Sequence, residues 1–401
     1  MARRIFQILS LIGVLFLFFV SLELMGASFK LMGKGFAETL LETTANPFVG
    51  LFIGILATSL VQSSSTVTSM VVGIVAGGGL TVAGAIPIVM GANIGTSVTN
   101  TIVSLGHITR KEEFRRAMAG ATVHDFFNLL AVAILFPLEL LTGLISKSAH
   151  AVEEAVVGFG GADFLSPLKL VTKPVANAVI AAAGENGIVV LIAGVLALFI
   201  ALRYLVILLK ALVLGRSERL LHKYVFGKPI TALLFGILIT IMVQSSSITT
   251  SVMVPLVGAG IVTVAQIFPF VLGANIGTTI TALLAALVLA AGGGEAGEAA
   301  LTVAFAHLFF NVYGIALLWP IPAIRNIPIR LAEWLGNLAV KNRAYAFAYI
   351  GLVFFIVPLL ILLATRGMDT SFYDGGAPDA ADPVENVDVA PVPDSGAVEM
   401  P

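Results

Sequence analysis

Gln62–Ser65 read QSSS and Gly91–Thr96 read GANIGT, and 182 positions further on, Gln244–Ser247 and Gly273–Thr278 carry the same two strings. The match extends beyond them. Pro47–Asn100 and Pro229–Ala282 align without a gap, and 28 of 54 positions are identical, so the chain contains an internal repeat. Prolines recur at Pro87 and Pro269. After a one-residue shift a third element follows, His124-Asp125-Phe126-Phe127-Asn128 against His307-Leu308-Phe309-Phe310-Asn311. A weaker pair, Leu11–Phe19 against Leu191–Phe199, suggests that each unit opens with an ordinary spanning helix.

The repeat sits in a strongly apolar background. Hydrophobic residues make up 58% of the 401 and charged residues 11%, with a mean hydropathy of +1.03, which excludes a water-soluble globule. The net charge of -1 conceals a body of +7 and, after Arg366, a tail of -8. Neither part clusters Lys and Arg with exposed aromatics, so a nucleic-acid surface is excluded. With no cysteine there is no disulfide, thiolate metal site or cysteine nucleophile.

Ile5 to about Phe29 follows Arg3 and Arg4 but is too long for a signal peptide and is interrupted by Glu23, so it reads as a spanning helix. Each unit then holds a pair of half-length apolar segments meeting at QSSS, a helix interrupted at GANIGT and a closing helix carrying HxFFN. A re-entrant hairpin adds no crossing, so each unit crosses three times and the second is inverted. Charge agrees: Arg110, Lys111, Arg115 and Arg116 share the cytoplasmic side with Arg216, Arg219, Lys223 and Lys228 only if the units are inverted. The expected architecture is an all-α polytopic membrane protein with two inverted repeats, each with a re-entrant helical hairpin and a broken helix. Unit one covers 1–145, an external loop 146–186, unit two 187–323, a loop and last spanning helix 324–365, and a disordered acidic tail 366–401.

Backbone that leaves the helix at membrane depth is tolerated where it lines a cavity, and inverted repeats with discontinuous helices point to a secondary transporter. Two QSSS tips facing each other surround a tetrahedral oxyanion with neutral donors: Gln62, Ser63, Ser64 and Ser65 from one, Gln244, Ser245, Ser246 and Ser247 from the other. No Arg or Lys lies in either polar core, so co-bound cations supply the missing charge. Hydroxyl, amide and backbone oxygens are the hard ligands sodium prefers. Asp125 is an ionisable group in an apolar helix, which costs roughly 2.5–3.5 kcal/mol on insertion scales and marks a functional candidate. Asn93 and Asn275 are balanced between a helix-breaking or capping role and ligation. His124 and His307 read as hydrogen bonders between helices, Phe126, Phe127, Phe309 and Phe310 as packing, and Glu23 and Arg203 as a pair or as snorkelling side chains.

The paired QSSS motifs, GANIGTSVTNTIVSL at Gly91–Leu105, EFRRAMAGATVHDFFN at Glu113–Asn128 and GANIGTT at Gly273–Thr279 resemble the type II sodium-dependent phosphate cotransporter family, in a bacterial member, over residues 1–365. The resemblance implies sodium-driven uptake of inorganic phosphate by alternating access, with both QSSS segments forming the phosphate site. It implies that Ser65, Thr101 and Asn128 hold sodium, and Asn93, Ser247 and Asn275 complete the candidate sodium set. It also implies that Asp125, at a position carrying Asp in electrogenic members and Gly in electroneutral ones, adds a sodium and a net inward charge. His107 and Arg110 stand where animal members have Gln and Asp. The implied partners are phosphate, sodium and the lipid bilayer of a bacterial inner membrane, with a homodimer open. No cofactor, transition metal or enzymatic activity is expected. Rival readings are a sodium-coupled carrier for sulfate, arsenate or a small carboxylate, a passive anion channel, and an intramembrane serine hydrolase. The hydrolase is weakened because every candidate serine and histidine occurs twice, whereas a nucleophile needs one serine and one base.

Overall fold

The computed structural model describes residues 2–32, 44–158, 166–213, 225–290 and 294–365. The acidic tail, Arg216, Arg219, Lys223 and the side chain of Arg203 lie outside the described residues. The described residues form seventeen α-helices, in order α1 (Ala2–Met32), α2 (Pro47–Val61), α3 (Ser64–Ala76), α4 (Val82–Gly95), α5 (Val98–Ser104), α6 (Lys111–Thr142), α7 (Leu144–Gly158), α8 (Ser166–Ala182) and α9 (Gly187–Val213). Then come α10 (Pro229–Val243), α11 (Ser246–Ser251), α12 (Met253–Gly258), α13 (Val264–Ala290), α14 (Glu295–Leu318), α15 (Pro322–Lys341), α16 (Ala344–Gly351) and α17 (Val357–Thr365). No strand occurs among the described residues, so the chain is all-α.

Among the described residues, five helical stretches are long and apolar enough to cross a bilayer: Val82–His107, Lys111–Thr142, Val264–Ala290, Glu295–Leu318 and Ala344–Thr365. By contrast α2, with 15 residues, and α3, with 13, rise only about 20 Å each, short of the roughly 30 Å hydrocarbon thickness. Leu141 and Leu60 are 81% and 72% exposed, which suits a surface solvated by lipid tails.

The helix pairs start and stop for local reasons. Pro47 and Pro229 occupy the first turns of α2 and α10, where a missing N–H costs nothing. Asn46 caps α2 by accepting from the amides of Phe48 at 2.9 Å and Val49 at 3.3 Å. Both α2 and α10 stop at a glutamine in the left-handed region, Gln62 at φ 56° and Gln244 at φ 55°. Ser63 and Ser245 are extended and open the next helix by accepting from Thr66 N and Ile248 N, each at 3.3 Å.

Packing interlocks the two units. In unit one α2 lies along α4, in unit two α10 along α13, and α1 pairs with α9. The second arm of each hairpin enters the other unit: α3 packs on α13 and α14, while α11 and α12 pack on α5 and α6. Phe127 of unit one meets Phe268 of unit two edge-on, with ring centroids 6.0 Å apart.

The interruption expected at GANIGT occurs in unit one, where α4 ends at Gly95 and α5 begins at Val98, but not in unit two. Helix α13 runs unbroken through Gly273–Thr278, and in unit one the helix turns only at Thr96–Ser97, both residues staying in the right-handed helical region. The glycines have another use. A Cβ on Gly91 would strike the carbonyl of Leu51, and one on Gly273 that of Leu233. At Gly95 it would sit 2.7 Å from the Thr58 Cβ, and at Gly277 2.6 Å from the Thr240 Cβ. Gly54 and Gly236 face the carbonyls of Ile88 and Phe270 in return. GANIG is thus a small-xxx-small surface for backbone-to-backbone packing.

Two expected loops are also helical. Within 146–186 lie most of α7 and all of α8; Ile145, Ala149, Val152 and Val156 of α7 form a helical stripe in the core, and α7 packs on α14. Before the last span, α15 buries Pro328, Ala332, Leu335, Gly336 and Ala339 against α6. Short stripes of this kind, among many polar neighbours, fall below a spanning signal but suffice for one buried face.

Candidate functional site

The two QSSS tips meet. Ser65 Oγ donates to the Gln244 carbonyl at 3.5 Å, across 179 residues of sequence. Ser64, Ser65, Ser246 and Ser247 are buried, Ser63 and Ser245 half-buried. The left-handed glutamines carry strain of about 1–2 kcal/mol each that a glycine would not. The tips therefore keep an amide where an unstrained turn would hold none, and such strain marks functional segments. No charged side chain occurs in 47–109 or 229–290, so the donors offered at the tips are neutral.

The tips are not in equivalent states. The Gln244 amide is held twice, its Oε1 accepting from the Thr281 hydroxyl and its Nε2 donating to the Ile241 carbonyl at 2.7 Å. Gln62 is exposed, and Thr99, its counterpart of Thr281, buries a hydroxyl without a partner. Beside the second tip, Thr250 and the Asn100 amide exchange hydrogen bonds of 2.8 and 3.1 Å. The tip-two helix thereby borders α5, which carries Thr101.

An amide ladder links the GANIGT and HxFFN segments of the two units. His124 Nε2 donates to Asn275 Oδ1 at 2.5 Å, Asn275 Nδ2 to Asn128 Oδ1 at 2.9 Å, and Asn128 Nδ2 to the Asn93 carbonyl at 2.8 Å. Asn311 Nδ2 reaches Asn93 Oδ1 at 3.5 Å and the His307 carbonyl at 3.0 Å, while its own Oδ1 is buried and unpartnered. Asn93, Asn128 and Asn275, all candidate sodium ligands, are thus brought together, and Asn311 is a fourth member. The repeat of HxFFN was the signal for it. The rings differ: His307 has no hydrogen-bond partner on either nitrogen.

The third cluster has no counterpart in unit two. Asp125 is fully buried; its Oδ2 accepts from Thr101 Oγ1 at 3.3 Å and from the Tyr349 hydroxyl at 2.9 Å, and Ser97 lies beside it. Its Oδ1 has no partner. The equivalent positions in unit two are Thr279, Leu283 and Leu308, which cannot form such a cluster. Tyr349, from the last span, lies outside the repeat and carries no motif, so repeat-based reading does not find it. No hydrogen bond joins Ser65 or Ser247 to Asp125, Thr101 or Asn128. His107 and Arg110 instead pair with Glu113, at 3.3 and 3.0 Å, near the start of α6.

A family model described as Na+/Pi-cotransporter matches residues 17–164 and 197–360. The chain belongs to this Na+/Pi-cotransporter family. Among relatives in the family, sodium-dependent phosphate transport protein 2B of Homo sapiens is 35% identical over 88% of this chain and 64% of its own length. The 2B protein of Pongo abelii is 34% identical over 88% and 65%, and the 2A protein of Ovis aries 35% identical over 92% and 70%. The chain thus spans slightly less than two thirds of the 2B proteins. No solved structure matches the chain.

Proposed function

We propose that the chain is a secondary active symporter that couples sodium entry to inorganic phosphate uptake by alternating access, with net inward charge. The observation that carries this reading is the meeting of the two QSSS tips at Ser65 and Gln244, in stretches without a charged side chain. Hydroxyls, amides and the first backbone N–H groups of the following helices suit a tetrahedral oxyanion, and neutral donors allow its release. Phosphate is held by Gln62–Ser65 and Gln244–Ser247. Sodium is held by oxygens of Ser65, Asn93, Thr101, Asp125, Asn128, Ser247 and Asn275. The relatives' names as sodium-dependent phosphate transport proteins support cargo and coupling ion. The inverted relation of the units follows from the charge pattern, and the unequal state of Gln62 and Gln244 supports two alternating conformations.

The test is labelled-phosphate uptake into liposomes containing the protein. Uptake should require an inward sodium gradient, and equal uptake with potassium or choline would sink the reading. Ser64→Ala and Ser246→Ala should each lower apparent phosphate affinity roughly 2–10-fold, the worth of one hydrogen bond. Asp125→Gly should lower the charge moved per phosphate, read as current against uptake. Excess sulfate or arsenate in the same assay separates the other small-anion reading. The serine-hydrolase reading has no support from geometry, since neither His124 nor His307 is hydrogen-bonded to a serine among the described residues.

A further inference from the structure

We propose that Tyr349 is a positioning residue for the cation site: its hydroxyl holds one oxygen of Asp125 so that the other faces a sodium ion held with Thr101 and Ser97. The inference rests on the reading of Asp125 as a sodium ligand and adds a component from outside both repeats. The hydroxyls of Thr101 and Tyr349 both donate to Oδ2, Ser97 lies beside the carboxyl group, and Oδ1 is buried without a hydrogen bond. A buried carboxylate oxygen without a donor is costly to leave unpaired and is rare in a folded protein. The hydroxyls of Thr101, Tyr349 and Ser97 lie beside the carboxyl group as a whole, and a hydroxyl that donates to a carboxylate still offers lone pairs to a hard cation.

The ring of Tyr349 is fixed for this role. It lies 6.0 Å from the ring of Phe126, the residue after Asp125, and meets Phe354 edge-on at 5.9 Å. Phe354 is fully buried and sits in a π-helical turn, Leu352–Ile356, that follows α16 directly. An extra residue per turn re-aims the side chains around it, and such turns are frequent at functional sites. Beyond the π turn, α17 packs along α2, and Asn46, the cap of α2, donates to the Thr365 carbonyl at 2.6 Å. One continuous span therefore touches Asp125 at one end and, at the other, braces the helix that leads to the first tip.

The experiment compares wild type, Tyr349→Phe, Asp125→Gly and the double variant in liposomes and in detergent. Phenylalanine keeps the ring and removes only the hydroxyl. In Tyr349→Phe the sodium concentration for half-maximal phosphate uptake should rise about tenfold, the loss of one charge-assisted hydrogen bond, while half-saturating phosphate at saturating sodium stays within about twofold. The sodium-dependent rise in unfolding temperature of the detergent-solubilised protein, measured against choline without phosphate, should shrink in parallel. In the Asp125→Gly background the same substitution should change neither quantity. Unchanged sodium dependence in Tyr349→Phe, or an equal shift with and without Asp125, overturns the inference. Because the unfolding increment needs no phosphate, a wild type that is stabilised by sodium through Tyr349 but fails to take up phosphate keeps this inference and removes the symport reading. A wild type that is not stabilised by sodium at all overturns the inference.

Discussion

At Asn275 a single amide serves both units, taking a hydrogen bond from His124 and giving one to Asn128. Truncating it leaves a ring N–H and a carbonyl oxygen buried and unpaired, at about 1–3 kcal/mol each. Asn275→Ala should therefore be strongly destabilising, and adding Asn128→Ala should cost less than the sum of the single changes by about 0.5–3 kcal/mol, because the two share one bond. Denaturant unfolding in micelles measures the cycle, and strict additivity would contradict the ladder. The same residue shows where local reading stops. Its duplication marked it as important, yet the spacing left breaking, capping and ligation all open. The fold places its amide opposite the other unit's asparagine and histidine. Tyr349 was wholly silent, since one tyrosine in an apolar helix signals only that its hydroxyl needs a partner somewhere.

Among the elements, the GANIG segments carry the clearest mechanical prediction. Gly91 and Gly273 lie against the carbonyls of Leu51 and Leu233 so closely that a methyl group forces the backbones apart. Gly91→Ala gains about 1 kcal/mol of helix propensity, but overpacking typically costs about 1–3 kcal/mol or more, so the net change is a loss. Gly13→Ala on α1, where no described residue lies within 4 Å of the new atom, should be neutral or stabilising. Thermal unfolding of the two variants side by side checks this, and a stabilised Gly91→Ala would contradict the packing. Glycine removes a side chain, which permits both a bend and a close approach. The string GANIG is compatible with either, and the facing Gly54 and Gly236 on the partner helices decide for approach. The helical stripes of α7 and α15 were legible in principle as Ile145, Ala149, Val152 and Val156, and as Pro328, Ala332, Leu335 and Ala339. They were overshadowed because hydropathy reports spans more strongly than single buried faces.

At the scale of the whole molecule, the two units share a local structure and differ in state. Gln244 is bonded to Thr281 and Ile241, whereas Gln62 is exposed. The proposed alternating access predicts an exchange of these roles, with Gln62 then engaging the hydroxyl of Thr99. The chain has no cysteine, so Gln62→Cys and Gln244→Cys each introduce a single reporter without a background. In oriented vesicles an impermeant thiol reagent should reach the two positions from opposite sides of the membrane, and sodium with phosphate should change the rates in opposite directions. Labelling of both from one side, with parallel responses, would contradict the exchange.

Read from the amino-acid string alone, the membrane class, the 182-residue repeat, the helix reversals at QSSS and the neutrality of the tips follow from composition, periodicity and short-range backbone preference, which act within a few turns of chain. The folded molecule determined which polar groups meet: Ser65 with Gln244 across 179 residues, Asn128 with Asn275 across 147, and Asp125 with Tyr349 across 224. Those pairings depend on how the second arm of each hairpin inserts into the opposite unit and how the last span lies on the bundle. Side-chain volume and backbone approach summed over the interface set that arrangement, and no local pattern encodes it.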